Sequence, residues 1–383
     1  MGRGKVLFVT NWYPTNEQPL RAPWVREHAR AVRLYDDVAV LHCGEAGSEL
    51  GRPYQMELRV DEAPEGRIPT YRVSYRSSAI PGVSYLTYVS VLWRAYRRVV
   101  EDGFRPDVIH AHVYDSGVPA LLIGRWHGLP VLISEHFSSF PRKSLGRIDV
   151  LKAWLAFRWA DRVLPVSHAL QRAIEDYGIR ARFHVIPNVV DMVLFFPPRT
   201  PRQPRDPKRL LFVGQLEPVK AVPCLLRALS HLAERRHDWH LDIVGEGRER
   251  IACERLTEEL GIHDRVTFHG RKSKAEVAEW MRRADLFVLP SLCETFSVPV
   301  AEALATGTPV LATRCGGPEE LVADDVGRLI VPEDVAGLCD ALDDMLDHLR
   351  LYSPARISRY ATERFSPQLV GGELHDLYRS LRR

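Results

Sequence analysis

Short apolar runs alternate along the chain with longer stretches in which apolar residues recur at helical spacing. Strands of a parallel sheet are buried on both faces and read as continuous apolar runs, whereas the helices that connect them are amphipathic. In the first half, the pattern predicts strands at Val6–Thr10, Val38–His42, Asp107–Ala111, Val131–Ser134, Val163–Val166 and His184–Ile186. It predicts helices at Trp24–Leu34, Val83–Val100, Ser116–Trp126 and Ala169–Tyr177.

The alternation stops at a proline-rich stretch and then begins again. Five prolines lie between Pro197 and Pro207, where neither a helix nor a central strand is expected. The second half predicts strands at Leu210–Val213, Leu241–Val244, Val266–His269, Leu286–Leu289, Val310–Ala312 and Leu329–Val331. We therefore predict an α/β protein with two Rossmann-like domains. Their boundaries are a first domain of 1–196, a linker of 197–208, a second domain of 209–364 and a final helix within 365–383.

Bulk composition narrows the class of protein. A chain of 383 residues exceeds what one core normally serves, which agrees with two domains. The net charge of +3 is small, so nucleic acid is not an expected partner. Six scattered cysteines without a Cys-x-x-Cys pair indicate reduced thiols. The chain enters an apolar strand at Val6 without a signal-peptide pattern, so we expect a cytoplasmic location.

Two glutamates stand on either side of a strand-to-helix turn. Glu294 lies in the turn, Glu302 follows eight positions later, and Pro299 marks the first helical turn between them. The backbone donors of Thr295, Phe296, Ser297 and Val298 and the helix dipole together form a receptor for an anion such as phosphate. Carboxylates would repel the anion and instead suit neutral hydroxyls beside it. A ligand with hydroxyls on both sides of phosphates is a nucleotide-sugar.

This segment resembles the E-x7-E region of the retaining, family-4 glycosyltransferases with the GT-B fold, including the Ala-x-Gly-x-Pro-Val-x-Ala-Thr continuation over 305–313. The resemblance implies two Rossmann-like domains facing each other across a cleft, with the final helix crossing back to the first domain. It also implies retaining transfer of a sugar from a nucleoside diphosphate to a hydroxyl acceptor, in glycan, polysaccharide or glycolipid biosynthesis. Neither a cofactor nor a catalytic metal is implied.

The stretch from Gly214 to Lys220 resembles the family's strand followed by Gly-Arg-Leu-x-x-x-Lys-Gly. Lys220 is the expected group that stabilises charge on the leaving diphosphate. Gln215 stands in place of the family's arginine, and Ala221 in place of its glycine. Gln215 can donate hydrogen bonds but carries no charge, so another cation such as Arg21 or Arg271 is expected to compensate.

The same resemblance assigns the carboxylates and one histidine. Glu302 is expected to bind the ribose hydroxyls, and Glu294 to position the hydroxyls of the donor sugar. His136 follows a strand, at the edge where α/β sheets place ligand sites, and is expected to face the reacting centre. His110 and His112 share one face of a strand; we expect them to pack or to line the cleft rather than to bind metal, because no acidic or cysteine partner has supporting spacing.

Alternative functions stay open at this point. A nucleotide-sugar epimerase of the same fold would act on the donor without an acceptor, and Gln215 and Ala221 would also suit a nucleotide-sugar-binding protein with reduced activity. An oxidoreductase is disfavoured because no strand leads into G-x-G-x-x-G. The aromatic helix Val83–Val100 has an arginine cluster that would suit peripheral contact with the inner membrane surface, although core packing is the commoner role of such a helix.

Overall fold

The computed structural model describes residues 3–15, 21–46, 53–61, 66–76, 78, 82–199 and 206–382. The chain divides into two compact units, Met1–Val189 with Pro367–Arg383 and Val190–Ser366. Each unit contains one sheet, and helices connect most of its successive strands. This pair of Rossmann-like units confirms the predicted fold class.

The first unit is built on a seven-stranded sheet in the order β3-β4-β2-β1-β5-β6-β7. All neighbouring pairs are parallel except β3 with β4. The strands are β1 (Lys5–Thr10), β2 (Asp37–Ala46), β3 (Tyr54–Asp61), β4 (Ile68–Arg76), β5 (Val108–His112), β6 (Val131–Glu135) and β7 (Arg162–Pro165). The helices are α1 (Pro23–Arg33), α2 (Val83–Glu101), α3 (Tyr114–His127), α4 (Arg147–Trp159) and α5 (His168–Glu175).

Three differences from the predicted elements have local causes. Strands β3 and β4 were not predicted because polar residues alternate with apolar ones in both, and β3 also lies at the edge of the sheet. The outward face of α4 is apolar, which hides its helical periodicity. The strand predicted at His184–Ile186 is wrong: the segment runs beside β7 through two backbone bonds, to Val163 and Pro165, and forms only an isolated bridge at Phe183.

The second unit has an all-parallel sheet in the order β10-β9-β8-β11-β12-β13. Its strands are β8 (Lys208–Val213), β9 (Trp239–Val244), β10 (Val266–Gly270), β11 (Leu286–Leu289), β12 (Val310–Thr313) and β13 (Gly327–Ile330). Its helices are α6 (Val222–Ala233), α7 (Arg250–Glu259), α8 (Lys274–Arg283), α9 (Val298–Ala305), α10 (Pro318–Leu321), α11 (Val335–Asp347) and α12 (Pro354–Phe365). A capping box formed by Ser273 and Glu276 opens α8.

The two ends of the second unit differ in position from the predicted boundaries. Residues 190–196 pack with the second unit, where Val190 N donates to Phe365 O at 2.9 Å and Arg282 Nη1 donates to Leu194 O at 2.8 Å. The final helix, α13 (Pro367–Leu381), belongs to the first unit and packs along α1. Residues 200–205 of the predicted linker lie outside the described residues.

The strand order places one point of divergence in each sheet. In the first sheet β1 lies between β2 and β5, and in the second sheet β8 lies between β9 and β11. Crossover connections leave such a strand toward opposite sides, which opens a crevice beyond its carboxyl end. The loops that follow β8 and β11 meet at this edge of the second sheet.

The aromatic residues of α2 face the interior of the first unit. Tyr88, Leu92, Tyr96 and Val99 are buried, whereas the neighbouring arginines at 94, 97 and 98 are exposed. This agrees with core packing bordered by a solvated arginine edge. Among the described residues, no helix combines the length and the apolar character needed to cross a membrane.

Candidate active site

The loop after β8 is held by close backbone contacts with the loop after β9. Gly214 N donates to Val244 O at 3.1 Å, and Leu216 N donates to Glu246 O at 2.9 Å. A Cβ atom on Gly245 would lie 1.8 Å from Gly214 O, so only glycine fits there. The loop after β8 leaves the Gln215 side chain exposed at the carboxyl edge of the sheet.

Lys220 ends a short 3₁₀ turn, Pro218–Lys220, that precedes α6. The next residue, Ala221, has φ of 47° and ψ of 37°, in the left-handed region that favours glycine. The backbone therefore keeps the conformation of a Lys-Gly pair although the side chain differs. Leu292 N donates to Val219 O at 2.8 Å and joins this turn to the loop after β11.

Lys220 and Glu294 form the central ion pair of the second unit's edge. Lys220 Nζ lies 2.5 Å from Glu294 Oε1, and both side chains are largely shielded, with 18% and 11% exposed. Ser291 Oγ donates to the same carboxylate oxygen at 2.8 Å. A cation and a carboxylate thus lie side by side, one suited to phosphate oxygens and the other to hydroxyl donors.

The backbone of the Glu294 loop is fixed by residues that follow β12. Glu294 N donates to Cys315 O at 3.0 Å, and Gly317 N donates to Glu294 O at 2.8 Å. A Cβ atom on Gly317 would lie 2.4 Å from the Cα of Phe296, so this approach requires glycine. Sequence reasoning did not identify Gly317, because its contact partner is distant in the chain.

The turn into α9 combines strain with an uncapped helix start. Ser297 has φ and ψ of 78° in the left-handed region, and its side chain does not cap the helix. Its Oγ atom is buried and has no hydrogen-bond partner among the described residues. Val298 and Pro299 then begin α9, whose first N–H groups point out of the helix. A buried hydroxyl without a partner is costly, which makes this turn a candidate binding position.

Glu302 lies one helical turn further into α9 and is buried, with 6% exposed. Lys274 Nζ, at the first position of α8, lies 3.7 Å from Glu302 Oε1. Lys274 also lies 5.5 Å from the centre of the Phe195 ring. The Glu302 carboxylate is therefore held between two helices of the same unit, close to the turn at Ser297.

His136 and Arg21 belong to the first unit. His136 follows β6 and is buried, and its Nε2 lies 3.3 Å from His112 Nδ1. Burial and the neighbouring His28 and His110 hold the pKa of His136 well below its usual range, so its imidazole is neutral. Arg21 is exposed ahead of α1. Burial, the charge of Arg72 and that of Arg21 together lower the pKa of His42 to about 4.

Glu135 braces the loop that carries His136. Its carboxylate accepts the backbone N–H groups of His136 and Phe137 at 2.8 and 2.9 Å and that of Tyr114 at 2.9 Å. Burial raises the pKa of Glu135 to about 7, while these three donors lower it. No role was assigned to Glu135 from the sequence, because nothing in local spacing shows a carboxylate that bridges two loops.

His28 joins the two predicted histidines in a buried cluster. One nitrogen from each of His28, His112 and His136 lies within 4.8 Å of the others, a grouping that could converge on a metal ion. The His28 nitrogens, however, each lie 3.1 Å from a backbone carbonyl oxygen, of Trp24 or Pro187. A metal ion would have to break one of these contacts and the His112–His136 contact, so absence of metal stays our prediction.

Family comparisons match both units. The model described as glycosyl transferases group 1 matches residues 198–364, and the model described as glycosyltransferase family 4 matches residues 29–194. D-inositol 3-phosphate glycosyltransferase of Xylanimonas cellulosilytica is 31% identical over 300 residues, which is 71% of each chain. Glycogen synthase of Mycobacterium tuberculosis is 31% identical over 257 residues, which is 64% of this chain and 61% of that protein.

Solved structures share the fold at lower identity. Sucrose-phosphate synthase of Thermosynechococcus elongatus has a TM-score of 0.75 and 19% identity, with 99% of each chain covered. HepE of Anabaena in complex with UDP has a TM-score of 0.75 and 19% identity, with 98% of this chain and 100% of that chain covered. Together with the match of both family models to this sequence, these findings show that the chain is a glycosyltransferase of family 4 with the GT-B fold.

Proposed function

We propose that this glycosyltransferase takes its sugar from a nucleoside diphosphate and transfers it to a hydroxyl group with retention of configuration. The observation that carries the proposal is the strained turn at Ser297, where a buried hydroxyl without a partner meets an uncapped helix start beside the Lys220–Glu294 pair. Uncapped N–H groups and a helix dipole favour an anion, and carboxylates favour hydroxyls. A nucleotide-sugar presents both chemistries.

Each residue receives one part of the donor. Glu302, buried in α9, accepts hydrogen bonds from the ribose hydroxyls, and the backbone of Thr295–Val298 with Ser297 Oγ holds the diphosphate. Glu294 positions the hydroxyls of the transferred sugar. Lys220 stabilises the charge that grows on the leaving oxygen, with Gln215 as the neighbouring side-chain donor; the N–H of Gly214 is already bonded to Val244 O and positions this loop.

The proposed chemical step is a front-face displacement. The bond between the anomeric carbon and the diphosphate oxygen breaks, the acceptor oxygen attaches to the same face, and the leaving phosphate takes the acceptor's proton. No second carboxylate has to act as nucleophile. The neutral imidazole of His136 would donate a hydrogen bond at this centre without bringing a second positive charge.

The names of relatives support a donor of this class and leave the acceptor broad. HepE of Anabaena is described in complex with UDP and with UDP-glucose, and curated relatives are named as an inositol phosphate glycosyltransferase and a glycogen synthase. The acceptor proposed here is a hydroxyl compound of glycan, polysaccharide or glycolipid biosynthesis. We further propose a cytoplasmic location and catalysis without a metal ion or cofactor.

The proposed reaction is tested by turnover. The full-length protein is incubated with nucleoside-diphosphate sugars, with and without hydroxyl acceptors, and release of nucleoside diphosphate is measured. Acceptor-dependent release with an α-configured product from an α-configured donor supports the proposal. Conversion of the donor sugar without any acceptor would identify an epimerase, and donor binding without turnover would identify a binding protein. Activity should persist in excess chelator; loss that manganese or zinc restores contradicts the metal-free mechanism.

The ribose assignment is tested by Glu302→Ala. We expect nucleoside-diphosphate binding to weaken by about 1.5–3 kcal/mol, because a hydrogen bond to a charged group is lost. A 2′,3′-dideoxy analogue should bind the variant and the parent protein about equally, in thermal-shift titrations. Glu258→Ala, an exposed glutamate of α7, is the matched control and should not alter binding. Unchanged affinity of Glu302→Ala for the natural nucleotide would refute the assignment.

A further inference from the structure

The outward surface of helices α3 and α4 in the first unit is apolar. We define the α3–α4 face by its exposed large side chains, which are Leu122 and Trp126 of α3 and Ile148, Leu151, Trp154, Leu155 and Trp159 of α4. Trp126 is 76% exposed and Ile148 is 71% exposed, so these side chains meet solvent with most of their surface. Two tryptophans of this face, Trp154 and Trp159, lie on α4, and the ring of the third, Trp126, lies 6.0 Å from the Trp93 ring of α2.

The distribution of residues on α4 is the reverse of that on an ordinary surface helix. Only three residues of α4 are buried, and two of them are small: Ala153, Ala156 and Phe157. Its outward positions recur at helical spacing from Ile148 to Trp159 and carry the larger apolar groups. A helix that exposes its apolar side does so at a cost unless something covers it, and contiguous apolar patches mark interaction surfaces.

Cationic side chains border the α3–α4 face. Arg147 and Arg158 are exposed on α4, and the Arg125 guanidinium lies 4.7 Å from the centre of the Trp159 ring. The acid of α4, Asp149, lies 3.5 Å from Lys152, which also pairs with Asp115 at 3.1 Å. The face therefore presents tryptophans and aliphatic groups together with arginines, and its helix carries one acid that is already paired.

We propose that the α3–α4 face docks on the surface of an anionic lipid bilayer. Tryptophan is favoured at the boundary between headgroups and acyl chains, where its ring is apolar and its N–H can be hydrated. Arginines at the border reach lipid phosphates while their stems lie along apolar surface. An amphipathic helix with these two components binds in the plane of the interface and does not span the membrane.

Charge decides against a second copy of this chain as the occupant. A twofold dimer through the α3–α4 face would bring the same patch of each copy together, with Arg147 and Arg158 of one subunit near those of its partner. Like charges opposed across an interface disfavour that pairing. An anionic bilayer supplies the opposite charge and an apolar layer at the same depth.

The inference goes beyond the proposed transfer reaction and does not depend on it. Residues 136–146 connect the carboxyl end of β6 to α4, so Arg147 and Ile148 begin the face at the sheet edge that also carries His136. Docking there would place that edge of the first unit close to the lipid headgroups. It would favour acceptors that are themselves held in the membrane.

The apolar part of the proposal is tested by co-sedimentation of the full chain with phosphatidylcholine vesicles containing phosphatidylglycerol. We expect the parent protein to bind, and the double variant Ile148→Ser with Trp154→Ser to bind at least about tenfold more weakly, because two apolar groups that would enter the bilayer interface are lost. Ile251→Ser is the matched control: Ile251 is 63% exposed on α7 of the second unit. Failure of the parent protein to bind, or equal binding by parent and double variant, overturns the proposal.

The charged part is tested with Arg147→Gln and Arg158→Gln. Each is expected to reduce the partition coefficient about fivefold on anionic vesicles, since a basic residue near such a surface contributes about 1 kcal/mol. Higher salt should weaken binding of the parent protein, and vesicles of phosphatidylcholine alone should bind it less. Equal binding to neutral and anionic vesicles overturns the anionic assignment.

A second copy of this chain is excluded or identified as the occupant by the oligomeric state. Analytical ultracentrifugation without lipid should show the same state for the parent protein and the Ile148→Ser, Trp154→Ser variant. A parent dimer that this variant dissociates would assign the α3–α4 face to a second copy and overturn the lipid proposal. Donor hydrolysis is also measured without acceptor and without vesicles. A variant that loses vesicle binding but keeps this hydrolysis has lost the docking surface and not the proposed transfer function.

Discussion

Lys220 and Glu294 neutralise each other at the edge of the second sheet, in a pair that is largely shielded from water. Removing one partner would leave the other charge poorly compensated, so single substitutions are expected to change both ligand binding and folding. Pairing also keeps the Lys220 ammonium close to the proposed position of the leaving diphosphate. Because the neighbouring residue, Gln215, is neutral, replacing it with a cation is expected to affect catalysis.

Gln215→Arg tests whether the site lacks a cation. A guanidinium offers charge and a rigid donor fork where the amide of Gln215 offers neither, so kcat should rise about tenfold for each 1.4 kcal/mol of recovered stabilisation. The measurement is steady-state kinetics of Gln215→Arg, Arg21→Ala and the double variant. If Arg21 already fills the role, Arg21→Ala loses activity and the added arginine gains little. Three variants with parental kcat and KM would place the leaving group elsewhere.

Ser297→Gly separates backbone strain from hydroxyl chemistry. Glycine tolerates the left-handed conformation, so the free energy of unfolding should rise by about 1 kcal/mol, while loss of Oγ should weaken nucleoside-diphosphate binding by about 0.5–1.5 kcal/mol. Ser297→Ala is the matched control, because it loses the hydroxyl and keeps the strain. Equal unfolding free energies for the two variants would contradict the strain argument, and unchanged binding in both would contradict a role for Oγ.

At the scale of elements, the 3₁₀ turn and α6 are joined through a strained residue. Ala221 lies between Lys220 and Val222 with positive φ, so Ala221→Gly should stabilise the second unit by about 1 kcal/mol in denaturant titrations. Ala233→Gly, at the last position of α6 in ordinary helical conformation, should instead destabilise it by about 0.5–1 kcal/mol. Destabilisation by Ala221→Gly would show that backbone entropy outweighs the strain.

At the scale of the whole molecule, the first unit buries five histidines in neutral form. Burial lowers the pKa of His28 and His42 to about 4 and holds those of His110, His112 and His136 well below the usual range. In the unfolded chain these groups titrate near pH 6.5, so the unfolded state binds more protons below that pH. The stability they contribute is complete above about pH 6.5 and is lost as pH falls toward 4 and below.

The resulting prediction is acid lability of the first unit. Its free energy of unfolding should fall below pH 6.5 with a slope of up to about 1.4 kcal/mol per pH unit for each histidine, measured by hydrogen exchange of β5 and β6. Glu135 acts oppositely, since its pKa is raised to about 7 and its neutral form is favoured as pH falls, but it is one group. His112→Gln should reduce the slope of the unfolding free energy against pH by the contribution of one proton. His348→Gln, which replaces an exposed histidine, is the control and should leave the slope unchanged. A slope unchanged by His112→Gln would contradict the assignment.

Local patterns in the sequence were sufficient for the central strands of both sheets and for the turn that begins α9. Apolar runs marked the central strands because those strands are covered on both faces, and the spacing of Glu294 and Glu302 marked a strand, a turn and a helix start. The edge strand β3 and helix α4 were missed because one alternates polar residues and the other turns apolar residues outward. Hydrophobic periodicity predicts an element correctly when its apolar residues are the buried ones. The prediction fails where apolar residues face solvent or where a strand lies at the edge of the sheet.

The sequence by itself determined two Rossmann-like sheets and the turn between Glu294 and Glu302 that begins α9, because these depend on neighbours a few positions apart. Only the tertiary structure decided that Lys220 pairs with Glu294, that Gly317 packs against Phe296 and that Glu135 braces the His136 loop. It also decided that the apolar groups of the α3–α4 face meet solvent. These contacts join residues far apart in the chain, and chain spacing alone does not specify which loops the packed sheets bring together.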